Sequence, residues 1–165
     1  MFKNLSICLF VVFLYNFSFC QTIQGSNKIV TFTAGSQKPS ELKLKNGETL
    51  HIRFKQFTVD VLVFNETTGQ NLFSVVEDKN FEKLQACEFD FDSDGKQELV
   101  VIYGDITAIN IMVYKKVKSE YILIGEMSGE EKCILTPNTI TLPYGSQGLY
   151  SEYILKNNKF IETQN

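Results

Sequence analysis

Apolar residues recur at every second position along most of this chain, and no stretch repeats them at the 3.6-residue spacing of an amphipathic helix. Side chains of a strand alternate between two faces, so this pattern commits a segment to half-buried β structure. Leu50, Ile52 and Phe54 alternate with His51, Arg53 and Lys55. Val59, Val61 and Val63 repeat the alternation with Asp60 opposite, and Gln56 and Phe57 separate the two runs. Leu42 and Leu44 come before Asn46-Gly47, a dipeptide suited to a hairpin turn because both residues tolerate positive φ. The segments Leu99–Tyr103 and Ile109–Tyr114 are apolar nearly throughout, which predicts strands buried on both faces. Further strands are expected at Tyr121–Ile124 after a charged turn from Lys115 to Glu120, and at Cys133–Leu135 and Thr139–Leu142 around Pro137-Asn138. A final hairpin is expected over Leu149–Glu162, turning at Asn157-Asn158. Val76 to Leu84 reads as a short helix or loop. About ten strands at short spacing predict an all-β antiparallel meander forming a sandwich, an open barrel or a partial-propeller-like sheet.

Residues 1–20 read as a secretory signal. Lys3 precedes the apolar run Leu5–Tyr15, and Ser18 and Cys20 are small residues at the −3 and −1 positions of a cleavage site before Gln21. Asn16 interrupts the run below the ~20 residues that a membrane span needs. Lipidation of Cys20 is the alternative, and it wants a small residue where bulky Phe19 stands. Residues 21–165 then form a single all-β domain, periplasmic or secreted, with no integral membrane segment after cleavage. The full chain of 165 residues carries a net charge of −3, and the one Arg is Arg53. That balance argues against nucleic acid as a partner. Cys87 and Cys133 stay in the exported domain. Two readings remain open for them: a disulfide, contributing ~3 to 4 kcal/mol in the chain-entropy model, or two buried thiols.

The segment Asp90-Phe91-Asp92-Ser93-Asp94-Gly95-Lys96-Gln97-Glu98 carries the chemistry. Counting from Asp90, carboxylates stand at positions 1, 3, 5 and 9, with glycine at 6. Calcium takes six to eight oxygens at ~2.3 to 2.6 Å, and alternate residues on a curling backbone can aim theirs at one point. Gly95 permits the sharp turn, the Lys96 carbonyl can add a backbone oxygen, and Glu98 can ligate directly or through water. Four carboxylates in one loop repel by about 3 kcal/mol per close pair at an effective dielectric near 20, and a divalent ion relieves this best. Magnesium avoids all-protein cages, and zinc would want His or Cys. The expected ligands are Asp90, Asp92, Asp94, Lys96 and Glu98, and the expected ion is Ca2+. The competing reading is an acidic, solvated turn without metal.

No helix pattern flanks the loop, and position 12 is Val101 where an EF-hand needs a bidentate Glu. Its strand–loop–strand setting, with Asp90, Asp92, Asp94, Gly95 and Glu98 followed by Leu99–Ile102, resembles the calcium loops of FG-GAP and VCBS-type repeats. Those occur in integrin-like propellers and in many secreted bacterial proteins. The resemblance covers residues 87 to about 125. It implies an ion site in a β-sheet setting; a single copy without the Phe-Gly and Gly-Ala-Pro signatures does not imply a whole propeller. The expected function is a non-catalytic, calcium-binding interaction domain for a protein or a cell-envelope polymer. The alternatives are an inhibitor or immunity protein against a secreted hydrolase, and a metal-assisted hydrolase.

Other candidates are weaker. His51 lies on the polar face of its strand without a partner pattern. Glu126, Glu130 and Glu131 could act as paired acids, though neighbouring surface carboxylates are usually solvated. Tyr144, Tyr150 and Tyr153 offer either a binding surface or ordinary packing.

Overall fold

A computed structural model describes residues 23–25, 28–33, 40–55, 58–64, 68–76, 83–104, 108–130, 132–145 and 148–163. The leader expected at residues 1–20, the Gln56-Phe57 break, Glu131 and the middle of the helix-or-loop segment (77–82) lie outside the described residues. The described residues hold fourteen strands and no helix: β1 (Ile23–Gln24), β2 (Ile29–Thr33), β3 (Ser40–Lys43), β4 (Thr49–Phe54), β5 (Thr58–Phe64), β6 (Gly69–Val76), β7 (Lys83–Phe89), β8 (Glu98–Gly104), β9 (Ile109–Val117), β10 (Glu120–Gly129), β11 (Cys133–Thr136), β12 (Thr139–Tyr144), β13 (Leu149–Lys156) and β14 (Lys159–Glu162). Val76 and Leu84, the ends of the expected helix or loop, thus belong to strands.

The chain lays down three sheets in turn. The first is β3-β4-β5-β6, the second β10-β9-β8-β7-β2, and the third β1-β11-β12-β13-β14. Each is a four-strand antiparallel meander; β2 adds an antiparallel edge to the second and β1 a two-residue parallel edge to the third. No sheet closes on itself, so the meander takes the layered form of a sandwich. Register explains the layering. Leu50 pairs with Val63, Ile52 with Val61 and Phe54 with Val59, so the apolar alternates of β4 and β5 share one face.

The second sheet is the middle layer and is buried on both sides. Leu84, Ala86, Leu99 and Val101 pack with Leu50, Ile52, Val59 and Val61 of the first sheet. Val100, Ile102, Ile109, Ile111 and Val113 pack with Cys133, Leu135, Ile140 and Leu142 of the third. This is why β8 reads as a continuous apolar run: Val100 and Val101 are both fully buried, in opposite directions. Burying each valine stabilises by about 1.5 to 3 kcal/mol.

Polar clasps tie the first layer to the second. Gln70 Nε2 donates to the Tyr121 carbonyl and Gln70 Oε1 accepts the Tyr121 amide, each at 2.8 Å, so one side chain mimics a neighbouring strand. Glu48, which is buried, accepts from Asn46 Nδ2 (2.8 Å) and Tyr121 OH (2.9 Å) and pairs with Lys116 Nζ at 2.9 Å. The charged turn expected over Lys115–Glu120 is shorter than anticipated. Lys115 and Lys116 continue β9 opposite Ile122 and Tyr121, because their ammonium groups find carboxylates at the strand. Only Lys118 and Ser119 turn, with Lys118 at φ +57°.

Candidate metal centre

Residues 90–97 connect β7 to β8 at one end of the middle sheet, so the acidic loop grows out of the most buried strands of the fold. Ser93 (φ +59°) and Gly95 (φ +83°) curl the backbone, a conformation that glycine adopts without strain. The curl lets carboxylates collect loop amides. Asp90 accepts from Asp94 N at 3.2 Å and from Gly95 N at 3.0 Å; Asp92 accepts from Asp94 N at 3.3 Å, and Asp94 from Lys96 N at 2.7 Å.

Phe91 pins the loop to the interior. Its ring is fully buried against Phe89 (centroids 4.7 Å apart) and Phe160 (5.0 Å). Its amide donates to Glu98 Oε2 at 2.9 Å, and its carbonyl accepts from Asn138 N at 2.7 Å, in the turn between β11 and β12.

One carboxylate oxygen from each of Asp90, Asp92 and Glu98 lies within 4.8 Å of the others. Oxygens bound to a shared calcium at ~2.3 to 2.6 Å stand at most about 4.6 to 5.2 Å apart, so these three can reach one ion. Glu98 is the unusual member. It is completely buried, and its Oε1 makes no hydrogen bond. That oxygen has one ion pair, with Lys115 Nζ at 3.4 Å. A buried carboxylate oxygen held by that one long ion pair is costly, and two more carboxylates beside it add negative charge that a further cation would neutralise.

Lys115 is the residue that sequence reasoning placed elsewhere. Its ammonium bonds Asp92 and lies 3.5 Å from Asp94 Oδ2 as well as 3.4 Å from Glu98. The signal was available: Lys115 is in phase with Ile109, Ile111 and Val113, so the strand aims it along the buried face that Glu98 also occupies. Asp94 stands apart from the group of three; its carboxylate turns to Lys96 N and to Lys115. Lys96 follows it with an exposed side chain.

The charges respond to these surroundings. Burial pushes the Glu98 carboxyl above its ordinary pKa, against the pull of the Phe91 amide and Lys115. Asp94 is held below the usual carboxylate range by the Lys96 amide, with Lys115 assisting. Burial works to lower Lys115, but its bond to Asp92 and the charges of Glu98 and Asp94 outweigh it and its pKa is raised.

The other candidates are placed as follows. His51 is half-buried on β4, with Nδ1 3.3 Å from Glu41 Oε1 and its ring edge-on to Phe64. Glu126 and Glu130 are exposed, and Glu130 accepts the Gly145 amide. Tyr144 and Tyr150 are exposed near the β12–β13 turn, while Tyr153 packs against the second core. Cys87 and Cys133 are both buried in that core and are not joined by a disulfide. Burial, with the nearby Cys87, pushes the Cys133 thiol far up.

No protein-family model, no curated protein and no solved structure matches the chain.

Proposed function

We propose that this chain is an exported calcium-binding domain, non-catalytic, whose loop 90–98 holds one ion and presents an ordered surface to a partner. The reading rests on one observation: the fully buried Glu98, whose Oε1 makes no hydrogen bond, brings a carboxylate oxygen within 4.8 Å of oxygens of Asp90 and Asp92, inside the span of a single calcium shell. Asp90, Asp92 and Glu98 would supply the carboxylate oxygens, with the Lys96 carbonyl and the Asp94 side chain as the further donors that the FG-GAP and VCBS-type resemblance implies. Three successive four-strand meanders, stacked face to face, agree with the sheet setting of such loops.

The ion's work is structural. It neutralises the carboxylates that the β7–β8 connection brings together, and through Phe91 and Asn138 it steadies the contact between the second and third sheets. Affinity is expected in the extracellular range of ~0.1 to 1 mM. Titration calorimetry on the purified domain tests the reading. Calcium should bind with one-to-one stoichiometry, and Asp92→Ala should abolish the isotherm; an identical isotherm in the variant overturns the site.

A further inference from the structure

A cleft of about 440 Å³ opens beside the loop, and five lysines, Lys45, Lys96, Lys115, Lys116 and Lys118, outnumber the two carboxylates, Glu88 and Glu98, in its lining. They come from the β3–β4 turn, the loop itself, β9 and the β9–β10 turn, so the fold assembles them from separate places. This is a third of the fifteen lysines of a chain whose net charge is −3. Lys116 is committed to Glu48 and Lys115 to the loop, whereas among the described residues the ammonium groups of Lys45, Lys96 and Lys118 enter no ion pair. Among the described residues, no aromatic and no large apolar side chain lines the cleft. Recognition there is by charge and hydrogen bonds, and lysines act as point charges that suit oxyanions of varied shape.

Lys115 couples the cleft to the loop. Its ammonium lies among Asp92, Asp94 and Glu98, where an ion bound by those oxygens would repel it. The side chain also lines the cleft, so an ammonium expelled from the loop has that space to enter. Calcium therefore raises the potential of the cleft twice, by its own two charges and by releasing Lys115.

We propose that this cleft is a calcium-gated site for an oxyanion, a sulfate, phosphate or carboxylate group carried by a polar ligand. The proposal rests on the reading of the loop as a calcium site and names the ligand chemistry next to it. Labelled dextran sulfate, inorganic sulfate and uncharged dextran are suitable probes, titrated into the full exported domain at fixed ionic strength, with about 2 mM calcium or with chelator.

Dextran sulfate is expected to bind about tenfold tighter, or more, in calcium than in chelator, with no binding of uncharged dextran. The double variant Lys45→Gln/Lys118→Gln should lose about tenfold with its calcium isotherm unchanged, whereas Lys156→Gln/Lys159→Gln, in the β13–β14 hairpin and outside the lining of the cleft, should behave as wild type. Competition by millimolar inorganic sulfate identifies a free oxyanion as sufficient; no competition identifies a polymer bearing several such groups. Equal binding with and without calcium, or an unaltered Lys45/Lys118 variant, overturns the proposal and leaves the calcium reading standing. Absence of a calcium isotherm in the wild-type protein overturns both.

Discussion

Replacing Lys115 by methionine separates two roles of its ammonium: counter-ion of the loop, and the competition with a metal that the proposed calcium site implies. The Nζ stands 3.4 Å from Glu98 Oε1 and 3.5 Å from Asp94 Oδ2, and it bonds Asp92. At an effective dielectric near 20, unit charges this close attract by about 5 kcal/mol, and desolvation offsets most of that. Asp92 and Asp94 are partly exposed, so water screens their share. Glu98 is not exposed. Deprived of the ammonium, its charge would cost about 3 to 5 kcal/mol, a cost the carboxyl limits by taking up a proton. Burial already raises the Glu98 pKa in the folded state. Stability from this group is therefore fully present below its ordinary value of 4.5 and is lost as pH rises through the raised folded value. In chelator, Lys115→Met should thus lose about 1 to 3 kcal/mol at neutral pH, and less in acid. Toward calcium the sign reverses, because the ion no longer expels a cation. Each ~1.4 kcal/mol of lost competition tightens the isotherm tenfold. Melting curves with and without calcium, joined to calorimetry, read both effects. Unchanged or weaker calcium binding in Lys115→Met would refute the reasoning, since the ammonium would then not stand in the ion's place.

Glu98→Gln should abolish calcium binding yet leave the metal-free melting temperature equal or higher, because the amide keeps an acceptor for the Phe91 N–H and carries no buried charge; a destabilised metal-free variant with intact binding contradicts this. Asp60 is held below its ordinary pKa of 3.8 by Lys55 and Ser74, so its contribution is present above that value and is lost as pH falls through the folded one. Asp60→Asn should cost about 1 kcal/mol at pH 7, and the gap to wild type in chemical denaturation should narrow as pH falls below 3.8. Gln70→Ala removes both bonds to the Tyr121 backbone and should cost about 1 to 3 kcal/mol, with faster amide exchange in β6 and at Tyr121.

The strand pattern was legible wherever one face is apolar and the other polar, as in Leu50–Phe54 and Val59–Val63, or where both are apolar, as in Leu99–Ile102. It failed where a strand buries polar groups. In β7, Leu84 and Ala86 face one layer and Cys87 the other, but buried Gln85, bonded to Thr31, and half-buried Glu88 hide the alternation. In β6, Gly69, Gln70 and Asn71 carry no apolar alternation, though Gln70 serves as a surrogate strand edge for Tyr121. The acidic loop was legible because its spacing lies within nine residues. Lys115 lies 17 residues after Glu98 and reaches the loop only through the pairing of β8 with β9, where Leu99 faces Tyr114. The stacking of three sheets was equally out of reach, since alternation tells which face is buried and not against what.

A crystal structure of residues 21–165 grown with calcium tests the central claim most directly. The account predicts one ion with oxygens of Asp90, Asp92 and Glu98 at about 2.3 to 2.6 Å, and the Lys115 ammonium turned out into the cleft. A loop still filled by Lys115 at saturating calcium, with no ion between those carboxylates, would contradict it.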